Sequence, residues 1–503
     1  MTNLLVKSLK VIKKKIAINI GNRNYTYDQL NTYSNNISNI LFEKKVKKKD
    51  IIAIPADKNI NLISSIFACL KYGCAYTILD FDMPKDRLNK IIKRCNPKIF
   101  LFSSNNINKN FRIKKENIIF LYNKNLSKKK NLNFNYLVND NQIAYLMFTS
   151  GSTGFPKGAM ISRGSLMRFI RLSKKKFNLN KKDNITNLNP IYFDNSIFDV
   201  FCSILNGIKL TIFSDLEVKN PKKLLKKLLL NKCTVWFSTP SLLIYLINLK
   251  LIEKKYFKTT KKIIFGGEGF PISKLKVLSS ILKNKELYNV YGPTETTCIC
   301  SSYKIKKKDL IKDNYEYVTV GKLWKSFEYI LKKEKVKNKN NKIGELVLYG
   351  PNVGRGYIND PNQTKAAFIK SKNSEIYNGY KTGDLFRIDS KKNFYFKGRK
   401  DNQVKSMGHR IELNEIELIV NSIKGVDEAV VFSKKIYETN KIIVVLSGSI
   451  SKDRNYLNSE LRRKLPSYMI PSNVFIINKM LKNKNGKIDR NRILKTYGQK
   501  ATL

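Results

Sequence analysis

The stretch Tyr145 to Gly158 reads YLMFTSGSTGFPKG. Its apolar lead, Ile143 to Phe148, is short enough for a fully buried strand, and it runs directly into Thr149, Ser150, Gly151, Ser152, Thr153 and Gly154, then Pro156 and Lys157. Two glycines, four hydroxyls and a proline cannot continue a strand. They make a turn whose backbone N–H groups can approach an anion with no Cβ in the way. The hydroxyls add donors and Lys157 adds a charge, so the loop reads as a phosphate cradle, although an isolated Gly/Ser-rich loop is more often an ordinary polar turn. It is not the usual P-loop. The pattern G-x-x-x-x-G-K-[ST] needs glycine where Pro156 stands and Ser or Thr where Gly158 stands.

Outward from the loop, Leu166, Phe169 and Ile170 recur at helical spacing, which predicts a loop lying between a strand and a helix, where backbone donors best serve an anion. Upstream, the runs Ile51 to Ile54, Ile63 to Leu70, Ile99 to Phe102 and Ile118 to Leu121 interleave short apolar strands with amphipathic segments. That alternation predicts an α/β fold of parallel sheet covered by helices. A chain of 503 residues is also too long for one core, so at least two domains are expected.

The charge is extreme: 96 Lys plus Arg against 38 Asp plus Glu gives +58. The lysines are spread along the chain in short runs such as Lys13 to Lys15, Lys47 to Lys49 and Lys174 to Lys176, whereas a nucleic-acid binder concentrates them in a stripe with interleaved aromatics. No nucleic-acid partner is therefore expected. Seven cysteines with no C-x-x-C pair predict free thiols in a reducing compartment. No apolar run is long enough for a signal peptide or a membrane span, so a cytoplasmic protein is expected. The single histidine, His409, excludes Ser-His-Asp, Cys-His and multi-histidine metal chemistry. Lysine, carboxylate and a bound metal remain.

The complete string from Tyr145 to Gly158 resembles the phosphate-loop signature of the adenylate-forming (AMP-binding) superfamily, which includes acyl-CoA synthetases, luciferases and amino-acid adenylation domains. Further stretches follow in that family's order. In Phe193-Asp194-Asn195-Ser196-Ile197-Phe198-Asp199, Asp194 stands among apolar residues, where a buried carboxylate calls for a partner; a helix cap beginning at Ser196 is the plainer alternative. The FDxS pattern resembles that of amino-acid-activating members, whose aspartate grips the substrate α-ammonium. The stretches Thr234 to Pro240 (TVWFSTP) and Ile263 to Gly269 (IIFGGEG) are similar to those of stand-alone D-alanine:carrier-protein ligases. They imply an amino-acid pocket of Asp194, Asn195, Phe198, Phe237, Ile264, Gly266, Val290 and Cys298. Gly266 stands where those ligases carry a larger side chain, which suggests a pocket admitting more than alanine.

The resemblance implies an ATP site of Thr149, Ser150, Gly151, Ser152, Thr153, Gly154, Lys157, Gly267, Glu268, Asn289, Val290, Tyr291, Gly292, Pro293, Thr294, Asp384, Phe396, Lys397, Gly398, Arg399 and Lys487. Within Asn289 to Glu295 (NVYGPTE), Tyr291 is expected to stack on adenine, Asn289 to bond its edge, Thr294 to contact the α-phosphate and Glu295 to hold Mg²⁺ directly or through water. Cys298 would serve as a small apolar wall. Asp384 in Tyr380 to Leu385 (YKTGDL) and Arg399 would bond the ribose; a lone TGD is otherwise a turn. Asp401 matches the family's hinge, giving a large domain over residues 1–400 and a small α+β lid over 401–503. Lys487, in Asn485 to Arg490 (NGKIDR), matches the catalytic lysine, where an isolated lysine would simply be solvated.

The implied reaction is attack of an amino-acid carboxylate on the α-phosphorus of ATP, with D-alanine or another small amino acid favoured. Transfer to the phosphopantetheine thiol of a separate carrier protein would follow, since the chain ends sixteen residues past Lys487. A monomer is expected. An acyl- or aryl-CoA synthetase of the same fold, and more remotely a non-catalytic basic binding protein, are the competing readings.

Overall fold

The computed structural model describes residues 12–103, 113–122, 126, 139–151, 154–311, 317–333, 343–371, 376–406, 408–436, 439–483 and 487–501. Ser152, Thr153, Asn485 and Gly486 lie outside them. The chain divides into two compact units: Met1–Asp80 with Arg94–Phe148 and Gly158–Gly398, and Phe81–Lys93 with Thr149–Lys157 and Arg399–Leu503.

In the first unit, a nine-stranded sheet among the described residues runs in the order Lys322–Leu323, Ser301–Lys304, Glu286–Tyr291, Lys262–Gly266, Val235–Ser238, Asn184–Asn187, Lys209–Ile212, Ile16–Ile20, Arg23–Thr26. Neighbours from Glu286–Tyr291 to Ile16–Ile20 are parallel. Val235, Phe237 and Ile264 enter one buried cluster, while Trp236, Ile263 and Phe265 enter another. Both faces are thus covered, which is why these strands read as unbroken apolar runs.

A six-stranded sheet takes the runs predicted upstream, in the order Ile118–Phe120, Ile99–Phe102, Ile51–Pro55, Ala75–Leu79, Ile143–Thr149, Lys157–Ser162. Helix Ile60–Tyr72 ends at Gly73, whose φ of 102° needs glycine. Arg163, fully buried, donates to Leu70 O at 2.8 Å and Cys74 O at 3.0 Å at that helix end, tying it to the segment that follows the loop. A third, antiparallel sheet of Glu328–Lys333, Ile343–Tyr349, Tyr377–Ile388, Phe368–Lys370 and Phe394–Arg399 closes the unit.

One expectation is corrected. The loop after Thr149 does not open a helix: Lys157–Ser162 is a strand, and helix Arg163–Lys176 starts only after its cap, Ser162. The loop therefore joins two strands, and its donors are its own backbone and side chains rather than a helix N-terminus. The helical spacing of Leu166, Phe169 and Ile170 was real but began one strand later.

The second unit carries a three-stranded sheet, Glu428–Ile436, Thr439–Ser447 and Asn473–Ile477. Alternation decides its faces: Ala429, Val431, Ile442, Val444 and Leu446 pack with helices Leu413–Asn421 and Arg454–Lys464, while Val430, Phe432, Ile443 and Val445 pack with helix Arg490–Lys500. An antiparallel pair, Gln403–Ser406 with His409–Glu412, precedes them. His409 stacks on Tyr468 with ring centroids 3.9 Å apart, and burial pushes its pKa down to about 4. All seven cysteines are buried thiols outside any disulfide. Among the described residues no helix is long and apolar enough to cross a membrane.

Candidate active site

Parallel strands of an α/β sheet present their carboxyl ends to a ligand, and several candidate residues of the first unit lie on such strands. Val235–Ser238 carries Phe237, Lys262–Gly266 carries Ile264 and leads into Gly267 and Glu268, and Glu286–Tyr291 carries Asn289, Val290 and Tyr291. Phe237 meets Phe198 edge-on at 5.0 Å, both fully buried, as one apolar wall. Glu268 accepts from the Ser241 hydroxyl and from its N–H.

Gly266 does not widen the pocket as its size suggests. A Cβ built on it would lie 2.5 Å from Val290 Cγ2 and 2.6 Å from Val290 O. The missing side chain is taken up by the adjacent strand, so the glycine allows close approach rather than leaving space. Gly292 has the same logic: a Cβ there would lie 2.3 Å from Cys298 O. The chain folds back over it through Thr297 and Cys298, both at positive φ (66° and 70°), a strained backbone of the kind that clusters at functional sites. Burial first, and the Asp194 carboxylate second, push the Cys298 thiol well up, so it is an inert wall.

Asp194 occupies the N-cap position of helix Asn195–Ile204 but makes no side-chain cap hydrogen bond. Instead Thr294 Oγ1 donates to Asp194 Oδ2 at 2.7 Å. Asn195 Nδ2 reaches Asn189 Oδ1 at 3.4 Å. The acid that is fully buried in this stretch is Asp199, held by Asn187 at 2.9 Å and pushed well up by burial. Asp194 is only half-buried, a place from which a carboxylate can meet a solute.

Glu295 is fully buried, and its Oε1 accepts from Tyr357 OH at 2.7 Å. Tyr357 closes the stretch GELVLYGPNVGRGY, whose pattern says strand and turn and gives no hint of this role. Its segment is bonded to the strand that leaves the loop, through Met160 N to Gly356 O (3.0 Å) and Ile358 N to Gly158 O (2.9 Å). Among the described residues no group of three or more His, Cys, Asp or Glu could hold a metal by itself. A single acceptor-only carboxylate, steered by a neutral hydroxyl, fits Mg²⁺ taken up with substrate phosphates rather than a protein cage.

Tyr291 OH donates to Asp384 Oδ2 at 2.6 Å, and its ring meets Phe386 edge-on at 4.9 Å. Burial first, then the Asp384 charge, push the phenol well up, so it remains a donor. Asp384 N donates to Thr382 Oγ1 at 3.0 Å within the strand Tyr377–Ile388, where its register against Ile343–Tyr349 shifts, so the TGD is part of a strand and not an isolated turn. Asn289 Nδ2 donates to Val318 O and Thr319 O at 3.2 and 3.1 Å, holding the strand end to its neighbour. Phe396, Lys397 and Gly398 lie on the strand Phe394–Arg399, where Phe396 contacts Phe386 at 5.7 Å.

The second unit holds the loop residues Thr149, Ser150, Gly151, Gly154 and Lys157. Gly151 is obligatory, because a Cβ would fall 1.9 Å from Phe155 O. Gly151 N donates to Glu415 Oε2 at 3.3 Å, Ser150 Oγ to Arg410 O at 2.5 Å, and Lys157 Nζ lies 3.6 Å from Glu412 Oε1. Sequence reading singled out neither glutamate for this. Arg399 belongs to this unit, since the division falls at Gly398, and it forks onto Asp401 at 2.6 and 2.7 Å. Burial opposes the Asp401 charge, and the Arg399 bonds overcome it, leaving the carboxyl below its usual range. Lys487 is exposed, and its carbonyl accepts from Asn483 N at 2.8 Å.

The family model described as AMP-binding enzyme matches residues 7–358, and that described as AMP-binding enzyme C-terminal domain matches residues 415–487. Bacitracin synthase 1 of Bacillus licheniformis is 32% identical over 481 residues, which is 94% of this chain but only 9% of that protein. Zwittermicin A synthase ZmaJ of Bacillus cereus is 30% identical over 484 residues, covering 95% of this chain and 91% of that one. Among solved structures, holo-PA1221, an NRPS protein containing adenylation and PCP domains, superposes with a TM-score of 0.84 at 20% identity, over 98% of this chain and 83% of that one. At that identity the likeness establishes the fold.

Proposed function

Because this chain belongs to the AMP-binding enzyme family, as an adenylate-forming ligase of the amino-acid adenylation type, we propose that it activates a small amino acid, alanine or one of similar size, with ATP. The aminoacyl-AMP then passes to the phosphopantetheine thiol of a separate carrier protein. The observation that carries the reading is the Thr294 hydroxyl on the Asp194 carboxylate: it holds an anion, half open to solute, beside the apolar wall of Phe198 and Phe237. An α-ammonium is the cation such a site selects, and Val290 against Gly266 keeps the side-chain space small.

The chemistry brings two anions together, so catalysis is positioning and charge neutralisation. Asp194 orients the amino acid by its ammonium and leaves its carboxylate to attack. Tyr291 and Asp384 form the nucleoside end, where Asp384 accepts from ribose hydroxyls. Gly151, Ser150 and Lys157 serve the triphosphate. Glu295, steered by Tyr357, would hold Mg²⁺, which when bound would offset phosphate charge. Lys487 bridges the attacking carboxylate and the α-phosphate, and rotation about Asp401 withdraws it before thiol transfer. The test is ATP/pyrophosphate exchange across a panel of D- and L-amino acids with the matching carboxylic acids. Exchange is expected with small amino acids; exchange with the carboxylic acids instead would replace this reading with acyl activation.

A further inference from the structure

The loop donors in the second unit are already engaged, and by carboxylates. Glu415, 1% exposed, takes the Gly151 N–H, and Glu412, 4% exposed, faces the Lys157 ammonium. Arg87, 7% exposed, pairs with Glu415, and Gln403 Nε2 bonds Glu412 Oε1 at 2.8 Å. Carboxylate and phosphoryl oxygens are chemically alike here: anionic, acceptor-only and suited to backbone N–H and ammonium donors. Arg87 and Lys157 face the two carboxylates, while Arg410, donating to Gln403 Oε1, and Lys90, donating to Gly154 O at 3.2 Å, stand at the edge of the cluster. A triphosphate entering beside it would add negative charge with little solvent to screen it.

We propose that Glu415, with Glu412, is a positioning residue that occupies the loop's anion site when no triphosphate is bound, so that the carboxylates and the β- and γ-phosphates of ATP compete for the same donors. The proposal rests on reading Thr149–Lys157 as the triphosphate loop. Its consequence is a selectivity in time: ATP must displace the glutamates, while AMP, lacking those phosphates, need not. Gly151, which Phe155 O approaches too closely for any Cβ, is thereby held on Glu415 between turnovers.

The experiment is calorimetric binding of Mg·ATP and of AMP, without amino acid, to the full chain and to Glu415→Gln, Glu412→Gln and Lys157→Gln. Each glutamine variant is expected to bind ATP roughly five- to tenfold more tightly, with AMP affinity unchanged. Glu412→Gln keeps the test alive if loss of the Arg87 partner unfolds Glu415→Gln, and a thermal melt identifies folded protein. Unchanged or weaker ATP binding in a folded glutamine variant, or equal tightening of AMP, overturns the proposal. Lys157→Gln is expected to weaken ATP alone. If it weakens ATP while the glutamine variants gain nothing, the loop reading stands and only the competition falls; if it changes nothing, both fall.

Discussion

Thr294 Oγ1 donates to Asp194 Oδ2 at 2.7 Å across 100 residues of sequence, and so joins the nucleotide motif to the amino-acid motif. The bond fixes the carboxylate in one orientation. Asp194→Ala is expected to reduce amino-acid-dependent pyrophosphate exchange by about two orders of magnitude, the scale of losing one partner of a desolvated ion pair. Thr294→Val, which removes only the positioning hydroxyl, is expected to cost roughly tenfold. Exchange with the matching carboxylic acid is the control: an equal loss for both substrates would deny Asp194 its part in recognising the amine.

Lys487 sits exposed in the second unit, its N–H donating to Asn483 Oδ1 at 3.1 Å and its carbonyl accepting from Asn483 N at 2.8 Å. A residue used in one half-reaction and withdrawn in the other should separate the two in kinetics. Lys487→Ala is expected to lower aminoacyl-AMP formation by roughly 10²- to 10³-fold, the usual scale for one charge-stabilising donor. Transfer from preformed aminoacyl-AMP to a thiol acceptor should stay near the parent rate. Comparable losses in both steps would remove the assignment.

Glu295 and Tyr357 give a metal-linked prediction. The phenol steers the carboxylate without altering its charge, so Tyr357→Phe should raise the Mg²⁺ concentration for half-maximal exchange about tenfold and restore most of the rate at saturating Mg²⁺. Glu295→Gln should not be rescued. A Tyr357→Phe enzyme slow at every Mg²⁺ concentration would mean that the hydroxyl holds the fold rather than the metal ligand.

What the sequence made legible follows from locality. Runs such as Ile51 to Ile54 and Ile99 to Phe102 carry their own strand signal, and the strings around Asp194, Tyr291 and Asp384 are legible through their resemblance to the family's motifs in the same order. Tyr357 on Glu295, Glu415 on Gly151 and Val290 filling the place of a Gly266 side chain do not, because each is a contact between distant segments that only packing brings together. The helix predicted directly after the loop failed for a related reason. Gly158 to Ser162 has no period strong enough to announce a strand; its partners, Gly356 and Ile358, lie almost two hundred residues downstream.

Lys71 gives a prediction about stability. It lies on helix Ile60–Tyr72 at 5% exposure, and its ammonium donates to Asn31 Oδ1, Ser34 Oγ and Asn35 Oδ1 at 2.7, 2.6 and 2.8 Å, all neutral acceptors. Burial without a carboxylate lowers its pKa to about 7 from 10.5. Between those values the unfolded chain holds a proton that the folded chain has released, so this lysine makes the first unit more stable as pH rises above about 7, by up to about 1.4 kcal/mol per pH unit. Below pH 7 both states are protonated and the burial penalty is felt in full. Both tryptophans, Trp236 and Trp324, are buried in this unit, so their fluorescence follows its unfolding. Urea denaturation at pH 6.5, 7.5 and 8.5, with the thiols common to both proteins and so cancelling in the difference, should show the parent gaining stability relative to Lys71→Met at each step. The abandoned acceptors, which include Asn31 O at 3.3 Å, shift the variant by a constant and leave the slope to the ammonium alone, so parallel pH profiles would mean that Lys71 keeps its proton throughout.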